Sequence, residues 1–200
     1  TPLHVIRVRG EASADDIEAA ARAVARRSEA DAIAAAGRLD EALEILQNEV
    51  LNVFERLEDS RETAITQGRI ADILLATGQL DEAMALQEAR LPVVTALGDQ
   101  EGLAHIRYSM ANIRIARGEH ESGNLQQIYE ELTEAFQLSC QQGHADAIGG
   151  IGLLLVQVLA MGGLRDEAVE TLDTTEDAFT TLRDLDGLAQ VKQLRQMLDA

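Results

Sequence analysis

The residues able to do acid–base, nucleophilic or metal chemistry form no pattern that is specific to a catalytic or metal site. None of the four histidines forms the His-x-x-x-His pair that a zinc site on a helix needs. No phosphate-binding Gly-x-x-x-x-Gly-Lys-Ser/Thr loop occurs, and Gly150-Ile-Gly152 lacks the strand and third glycine of a dinucleotide-binding fingerprint. Cys140 falls near a predicted helix C-terminus, which disfavours a thiolate. We therefore expect no catalytic site, metal or cofactor, and the chain is not expected to be an enzyme.

The charge balance excludes two classes of partner. Seventeen Lys and Arg against thirty-five Asp and Glu give a formal net charge of −18. A field of that sign repels phosphate backbones and anionic lipid surfaces, so neither nucleic acid nor a membrane is an expected partner. The acidity either serves solubility or attracts a basic partner. With one cysteine and no signal peptide, the sequence predicts a cytoplasmic protein without internal disulfides.

The elements that must position any site are helices, which two interleaved series of turns delimit. The first series comprises Gly37-Arg-Leu-Asp-Glu-Ala42, Gly78-Gln-Leu-Asp-Glu-Ala83, Gly118-Glu-His-Glu and Gly163-Leu-Arg-Asp-Glu-Ala168. The second comprises Leu57-Glu-Asp-Ser, Leu97-Gly-Asp-Gln, the looser Gln142-Gly-His-Ala and Leu182-Arg-Asp-Leu. Because both series share a period near 40 residues, each repeat must contain two helices.

Physical roles follow for the turn residues. A glycine after an apolar helical run can adopt the left-handed conformation that ends a helix. Asp59, Asp99 and Asp184 are placed to accept hydrogen bonds from free N–H groups of the following helix. Apolar residues recur at helical spacing between the turns. The sequence predicts nine helices, near 14–35, 40–57, 60–77, 80–97, 100–117, 124–141, 145–161, 164–182 and 185–199.

The domain organisation divides the chain near residue 13. Residues 14–200 are expected to form one helical repeat array. Residues 1–13 form a separate N-terminal segment, in which 1–10 alternate enough for a short strand or the tail of a preceding domain.

The sequence motifs at these turns resemble those of a known family of helical repeats. Gly78-Gln-Leu-Asp-Glu-Ala83 resembles the Gly-x-Tyr-x-Glu-Ala element of tetratricopeptide repeats, with Leu80 replacing the aromatic. The period near 40 resembles the longer repeats of kinesin light chains and bacterial regulatory arrays. The resemblance implies an all-α fold, a right-handed α-solenoid of antiparallel helix pairs. Two departures stand out, since Glu49 and Arg90 occupy a position where the family expects a small residue.

The resemblance also implies a binding surface, because in this family the first helices of successive repeats line a concave groove. Carried over by register, the groove residues are Arg27, Asp31, Asp72, His105, Tyr108, Asn112, Leu153, Gln157, Gln190 and, as an extension, Gln193. Asn112 falls where the family often uses asparagine to hold a ligand's backbone. The alternative is that these residues are solvated polar side chains on a curved surface.

Two functions follow from the resemblance. The first is a scaffold or sensor module that binds a protein or peptide in the groove. The second is a regulatory or oligomerisation segment of a larger bacterial signalling or effector protein, which the strand-like residues 1–10 and the start at Thr1 favour. Residues 145–161 are apolar on nearly every side, so neighbouring helices cover them or they bind a peptide helix or a second copy, giving a homodimer.

Overall fold

The computed structural model describes residues 13–199, and these fold into helices and turns without a strand. The nine helices are α1 (Ala14–Ala35), α2 (Leu39–Ile45, a π-helical stretch Leu46–Leu51 and Asn52–Arg56), α3 (Ser60–Ala76), α4 (Leu80–Leu97), α5 (Gln100–Ala116), α6 (Leu125–Gln142), α7 (Ala145–Met161), α8 (Arg165–Leu182) and α9 (Leu185–Leu198). Each agrees with its predicted range to within one or two residues, so the all-α fold class is confirmed. The predicted strand at 1–10 lies outside the described residues.

The helices fall into two compact units. Unit 1 ends at Gly98 and contains α1 to α4, and unit 2 begins at Asp99 and contains α5 to α9. Within each unit, helices joined by a short turn pack side by side in opposite directions, with α3 against α4, α6 against α5 and α7, and α8 against α7 and α9. Each unit therefore consists of antiparallel helix pairs.

The first series of turns has the predicted backbone geometry. The glycines at 37, 78, 118 and 163 have φ between 72° and 81°, in the left-handed region. In the second series Asp59 and Asp99 cap their helices as predicted, since their carboxylates accept from the backbone N–H of Glu62 and Gly102, each at 3.0 Å. Asp184 caps α9 in the same way through Gly187 N–H at 3.0 Å.

Two turns of the second series place a non-glycine residue in the left-handed region. Gly98 and Gly143 have the expected positive φ, whereas Glu58 and Arg183 hold φ of 54° and 56° at the equivalent positions. A side chain in this conformation costs roughly 1–2 kcal/mol. The packing of the flanking helices must offset that strain.

The structure explains the first departure from the family, Glu49, by an ion pair. Glu49 lies in the π-helical stretch of α2, and Arg26 of α1 donates to both of its carboxylate oxygens, at 2.7 and 2.9 Å. These hydrogen bonds lower the pKa of Glu49. A paired and exposed carboxylate thus replaces the small side chain expected at this contact.

The second departure, Arg90, is explained by an exchange of sizes across a helix interface. Arg90 of α4 is 4% exposed, and its Nε donates to the backbone oxygen of Ala64 in α3 at 2.8 Å. Its guanidinium also bonds to the buried Gln87. It lies so close to Gly68 of α3 that a Cβ there would stand 2.6 Å from Nη2. At this interface the small residue is therefore Gly68 on α3, and the large residue is Arg90 on α4.

The apolar helix α7 lies at the centre of unit 2. This position favours the first alternative for residues 145–161, which is that neighbouring helices cover them. Eight of its residues are buried, and two of these are glycines that let α8 approach closely. A Cβ at Gly149 would lie 2.6 Å from the ring of Phe179, and one at Gly152 would lie 2.0 Å from Oγ1 of Thr175.

Among residues 13–199, no helix is long and apolar enough to cross a membrane.

Candidate partner-binding surface

Helices α5, α7 and α9, the first helices of the repeats in unit 2, expose residues at the same four positions of a common register. The N-cap residues of α5, α7 and α9 are Asp99, His144 and Asp184. Positions 2, 6, 9 and 13 after each cap lie within about 60° of one another around a helix. The twelve residues are Glu101, His105, Tyr108 and Asn112 on α5, Asp146, Gly150, Leu153 and Gln157 on α7, and Asp186, Gln190, Gln193 and Met197 on α9. We call them the unit 2 stripe, and none of them is buried.

The same register fixes which side of each helix enters the core. Position 7 after the cap is Ile106, Ile151 or Val191, and these side chains are 0%, 4% and 1% exposed. Because one side of each helix is anchored in this way, the stripe is held in a defined orientation. The predicted residues of α5, α7 and α9 all lie on the stripe.

Tyr108, Leu153 and Asn112 form the middle of the stripe. Tyr108 and Leu153 are half-buried and pack against the core cluster of unit 2, so each presents part of its side chain to solvent. Asn112 donates from Nδ2 to the backbone oxygen of Tyr108 at 2.9 Å. That bond fixes the amide and leaves its side-chain oxygen as an acceptor for an N–H group of a ligand.

The stripe is acidic at one end. Glu101, Asp146 and Asp186 occupy position 2 and are all exposed, and no member of the stripe is Lys or Arg. The arginines of the same helices pair with carboxylates of α6 and α8: Arg107 with Glu134 at 2.6 Å, Arg114 with Glu131 at 3.2 Å and Arg195 with Glu176 at 2.6 Å. The remaining cation of these helices, Lys192, lies at position 8, outside the stripe.

Exposed apolar side chains lie at and beyond the other end of the stripe. Met197 at position 13 is 68% exposed, and Met161 at the end of α7 is 55% exposed. Leu164, which precedes α8, is also exposed. Arg165 and Asp199 form an ion pair of 3.3 Å that brings the start of α8 to the end of α9. The stripe therefore passes from three carboxylates, through residues that include Tyr108 and Leu153, to two amides and Met197.

The predicted groove residues of unit 1 have different surroundings. Arg27 pairs with Glu62 at 2.7 Å, contacts Thr66 at 3.3 Å and lies 5.6 Å from the ring centre of Phe54, and its side chain is 13% exposed. It therefore holds α1 to α2 and α3, and little of it reaches solvent. Asp31 is half-buried and lies 3.5 Å from Arg69.

Asp72 is likewise half-buried, on α3. Unlike the stripe of unit 2, the predicted residues of unit 1 are thus largely engaged within their own unit.

Sequence reasoning missed both ends of the unit 2 stripe. Glu101, Asp146 and Asp186 were visible as acidic residues in the first turn of three consecutive first helices, and Met197 falls in the register of Asn112 and Gln157. Aligning the three helices on their caps would have found them. The exposure of Met161 and Leu164 depends on how α7, α8 and α9 pack, which the local pattern does not specify.

Residues 13–199 contain no group of three or more His, Cys, Asp or Glu side chains arranged to hold a metal ion. Burial raises the pKa of Cys140, so its thiolate is disfavoured at neutral pH.

A family model matches less than half of the chain. This family model is described as "tetratricopeptide repeat", and it matches residues 21–96. No curated protein sequence matches the chain.

The solved structures that resemble the chain include three with TM-scores of 0.55 to 0.71. The first is that of the nearly identical TPR-like repeats of a candidate kinesin light chain from Podosopora anserina, with 17% identity, 88% of this chain and 94% of that chain covered, and a TM-score of 0.62. BtubC (BKLC) from P. vanneervenii has 15% identity, coverages of 93% and 84%, and a TM-score of 0.55. A Rap protein complexed with competence and sporulation factor has 14% identity, coverages of 90% and 54%, and a TM-score of 0.71. Residues 21–96 thus match the tetratricopeptide repeat family, and the chain has the fold of TPR-like repeat proteins.

Proposed function

We propose that the chain is a non-catalytic binding module whose unit 2 stripe holds a segment of a partner protein or a peptide. The observation that carries the proposal is the stripe itself: twelve residues at equivalent positions of three helices are accessible, while the opposite side of each helix is buried. Tetratricopeptide repeats generally mediate protein–protein interaction, and the structurally similar Rap protein was solved in complex with competence and sporulation factor.

The chemistry of the stripe suits recognition of a polypeptide. Asn112, Gln157, Gln190 and Gln193 are amides that can both donate to and accept from polar groups of a polypeptide, in its side chains or its backbone. Tyr108 and Leu153 add apolar area beside them. Since the stripe carries carboxylates and no cation, a partner with basic residues fits it better than an acidic one.

A homodimer through α7 has less support. The apolar residues of this helix are covered by α6, α8 and α9, and its exposed residues are Asp146, Gly150, Gln157, Ala160 and Met161. The regulatory alternative is compatible with the same stripe: this chain covers 54% of the Rap chain, so a longer protein could use it as its sensor segment.

The proposal is tested with a random-sequence peptide display library. Peptides selected on the wild-type protein are measured against a stripe variant, Asn112→Ala with Gln157→Ala and Gln193→Ala. The matched control replaces three glutamines of α6 that are exposed away from the stripe, Gln126→Ala, Gln137→Ala and Gln141→Ala. Each lost hydrogen bond costs about 0.5–1.5 kcal/mol, so the stripe variant should bind at least roughly tenfold more weakly.

The control should bind the selected peptides as well as the wild type does, and circular dichroism should show equal helix content in all three proteins. Equal affinity of the stripe variant and the wild type would remove the basis for the proposal.

A further inference from the structure

We propose that the occupant of the unit 2 stripe is a single basic amphipathic α-helix, with its cationic side toward Glu101, Asp146 and Asp186 and its apolar side toward Met161 and Met197. This inference rests on the proposed function and adds the chemistry and conformation of the ligand.

The width of the stripe fits one helix. Positions 2 and 13 are eleven residues apart, which at 1.5 Å per residue is about 16 Å along each helix. A helix with its side chains is about 10–12 Å across. A helix that lies across α5, α7 and α9 therefore covers most of this length and turns one side toward the acidic edge and the other toward Met161 and Met197.

The middle of the stripe leaves room for a helix to approach closely. Gly150 of α7 is exposed, and no atom lies within 4 Å of the place where its Cβ would stand. The same register position is occupied by His105 on α5 and by Gln190 on α9. At position 6 of α7 there is thus no side chain to keep a ligand away from the backbone.

The carboxylates of the stripe determine which side of the ligand helix faces its acidic edge. The three exposed carboxylates follow the same edge of α5, α7 and α9, and the arginines of these helices are neutralised by pairs on α6 and α8. Cationic side chains of a ligand would gain Coulomb attraction along this edge and meet no cation at the stripe positions. An acidic ligand would be repelled there by a protein of net charge −18.

Exposed apolar side chains define the opposite edge. Met161 and Met197 are more than half exposed, and Leu164, three residues after Met161, is 40% exposed. Methionine is flexible and polarisable, and it is favoured on surfaces that receive varied apolar side chains of a helix. The two edges together thus match a helix with cationic residues on one side and apolar residues, spaced i, i+3, i+4, on the other.

The test uses synthetic peptides of about fourteen residues, long enough to cross three helices spaced about 10 Å apart. One is a leucine–lysine peptide with leucines on one helical face. The second has the same composition in an order without helical periodicity, and the third is the amphipathic leucine–glutamate counterpart. Binding is measured by fluorescence anisotropy at two salt concentrations, and helix formation by circular dichroism.

Two protein variants of equal charge locate the site. The first removes the acidic edge by Glu101→Gln, Asp146→Asn and Asp186→Asn. The second removes three exposed carboxylates of α8 by Asp166→Asn, Glu170→Gln and Asp177→Asn. A third variant, Met161→Ser with Met197→Ser, tests the apolar edge.

We expect the amphipathic leucine–lysine peptide to become helical on binding and to bind at least about tenfold more tightly than the other two peptides. Removing the acidic edge should weaken binding about tenfold, removing the α8 carboxylates about twofold or less, and the serine variant should also weaken it. Equal effects of the two charge variants, or equal binding of the aperiodic peptide, would overturn the inference.

The outcomes separate this inference from the proposed function. If library peptides bind in a way that depends on Asn112, Gln157 and Gln193 but the leucine–lysine helix does not, the stripe is a binding site for a different conformation and this inference alone fails. If neither kind of peptide depends on the stripe, both proposals fail.

Discussion

Replacing two glycines of α7 with alanine, one at a time, should change stability in opposite directions. Gly150 and Gly152 lie in the same helix, so alanine removes the same backbone cost of about 0.5–1 kcal/mol at each position. At Gly150 nothing lies within 4 Å of the new Cβ, so that gain should appear in full. At Gly152 the new Cβ would stand 2.0 Å from Oγ1 of Thr175 and 3.1 Å from the ring of Phe136.

The difference between the two variants isolates the packing of α7 against α8. Overpacking of a tight core contact costs typically 1–3 kcal/mol, so Gly152→Ala should be roughly 1–3 kcal/mol less stable than Gly150→Ala. Adding Thr175→Ala to Gly152→Ala removes the closest atom and should recover part of the loss. Thr175 also donates to the backbone oxygen of Thr171 at 2.7 Å, within its own helix, so its removal leaves no donor on α7 unpaired.

The assay is urea denaturation followed by the helical signal in circular dichroism, with the two single variants and the double variant compared at one protein concentration. A ΔΔG of 1 kcal/mol corresponds to about 2–4 °C in the midpoint of thermal unfolding for a chain of this size. If Gly152→Ala is stabilised as much as Gly150→Ala, the close contact between α7 and α8 is refuted, and with it the account of why α7 contains buried glycines.

Three further predictions concern the turns, an ion-pair network and the interface of α3 and α4. Arg183→Gly should stabilise the protein by about 1 kcal/mol because it relieves a left-handed residue, and an unchanged urea midpoint would contradict the strain. Burial raises the pKa of Glu119, but hydrogen bonds from neighbouring side chains outweigh it and lower the pKa below 4.5. The ionised Glu119 therefore contributes stability above pH 4.5 that is lost as the pH falls. Glu119→Gln should destabilise the protein at pH 7 and leave it as stable as the wild type in strong acid. Denaturation measured as a function of pH would check this. Gly68→Ala and Arg90→Ala should each destabilise the protein, but the double variant should lose less unfolding free energy than the sum of the two single losses. The reason is that alanine at 90 removes the guanidinium that clashes with a side chain at 68. Strict additivity would refute the exchange of sizes.

The helices and turns could be predicted from the sequence because their determinants are local. The left-handed glycine at 78 and the capping carboxylates of Asp59 and Asp99 act within a few residues of themselves. Repetition of the same local rules at a common period then specified the helix pairs. The left-handed Arg183 shows the limit of this reasoning, because its conformation is imposed by the turn between two packed helices rather than by its own preference.

The candidate site was only partly predictable because exposure depends on partners distant in sequence. Tyr108 and Asn112 were placed on an accessible face by register alone. Arg27, predicted by the same register, turns out to pair with Glu62, thirty-five residues away, which no helical period could indicate. The compensation of Arg90 by Gly68 is of the same kind, since it depends on which residues meet across two helices.

Photo-crosslinking tests the central claim, that a polypeptide binds along the unit 2 stripe, most directly. A photoreactive phenylalanine analogue is placed at Gln157 or Gln193 on the stripe and, as a control, at Gln137 on the exposed side of α6. Irradiation with a library-selected peptide should give a covalent adduct at both stripe positions and none at Gln137. Crosslinking at Gln137, with none on the stripe, would contradict the account.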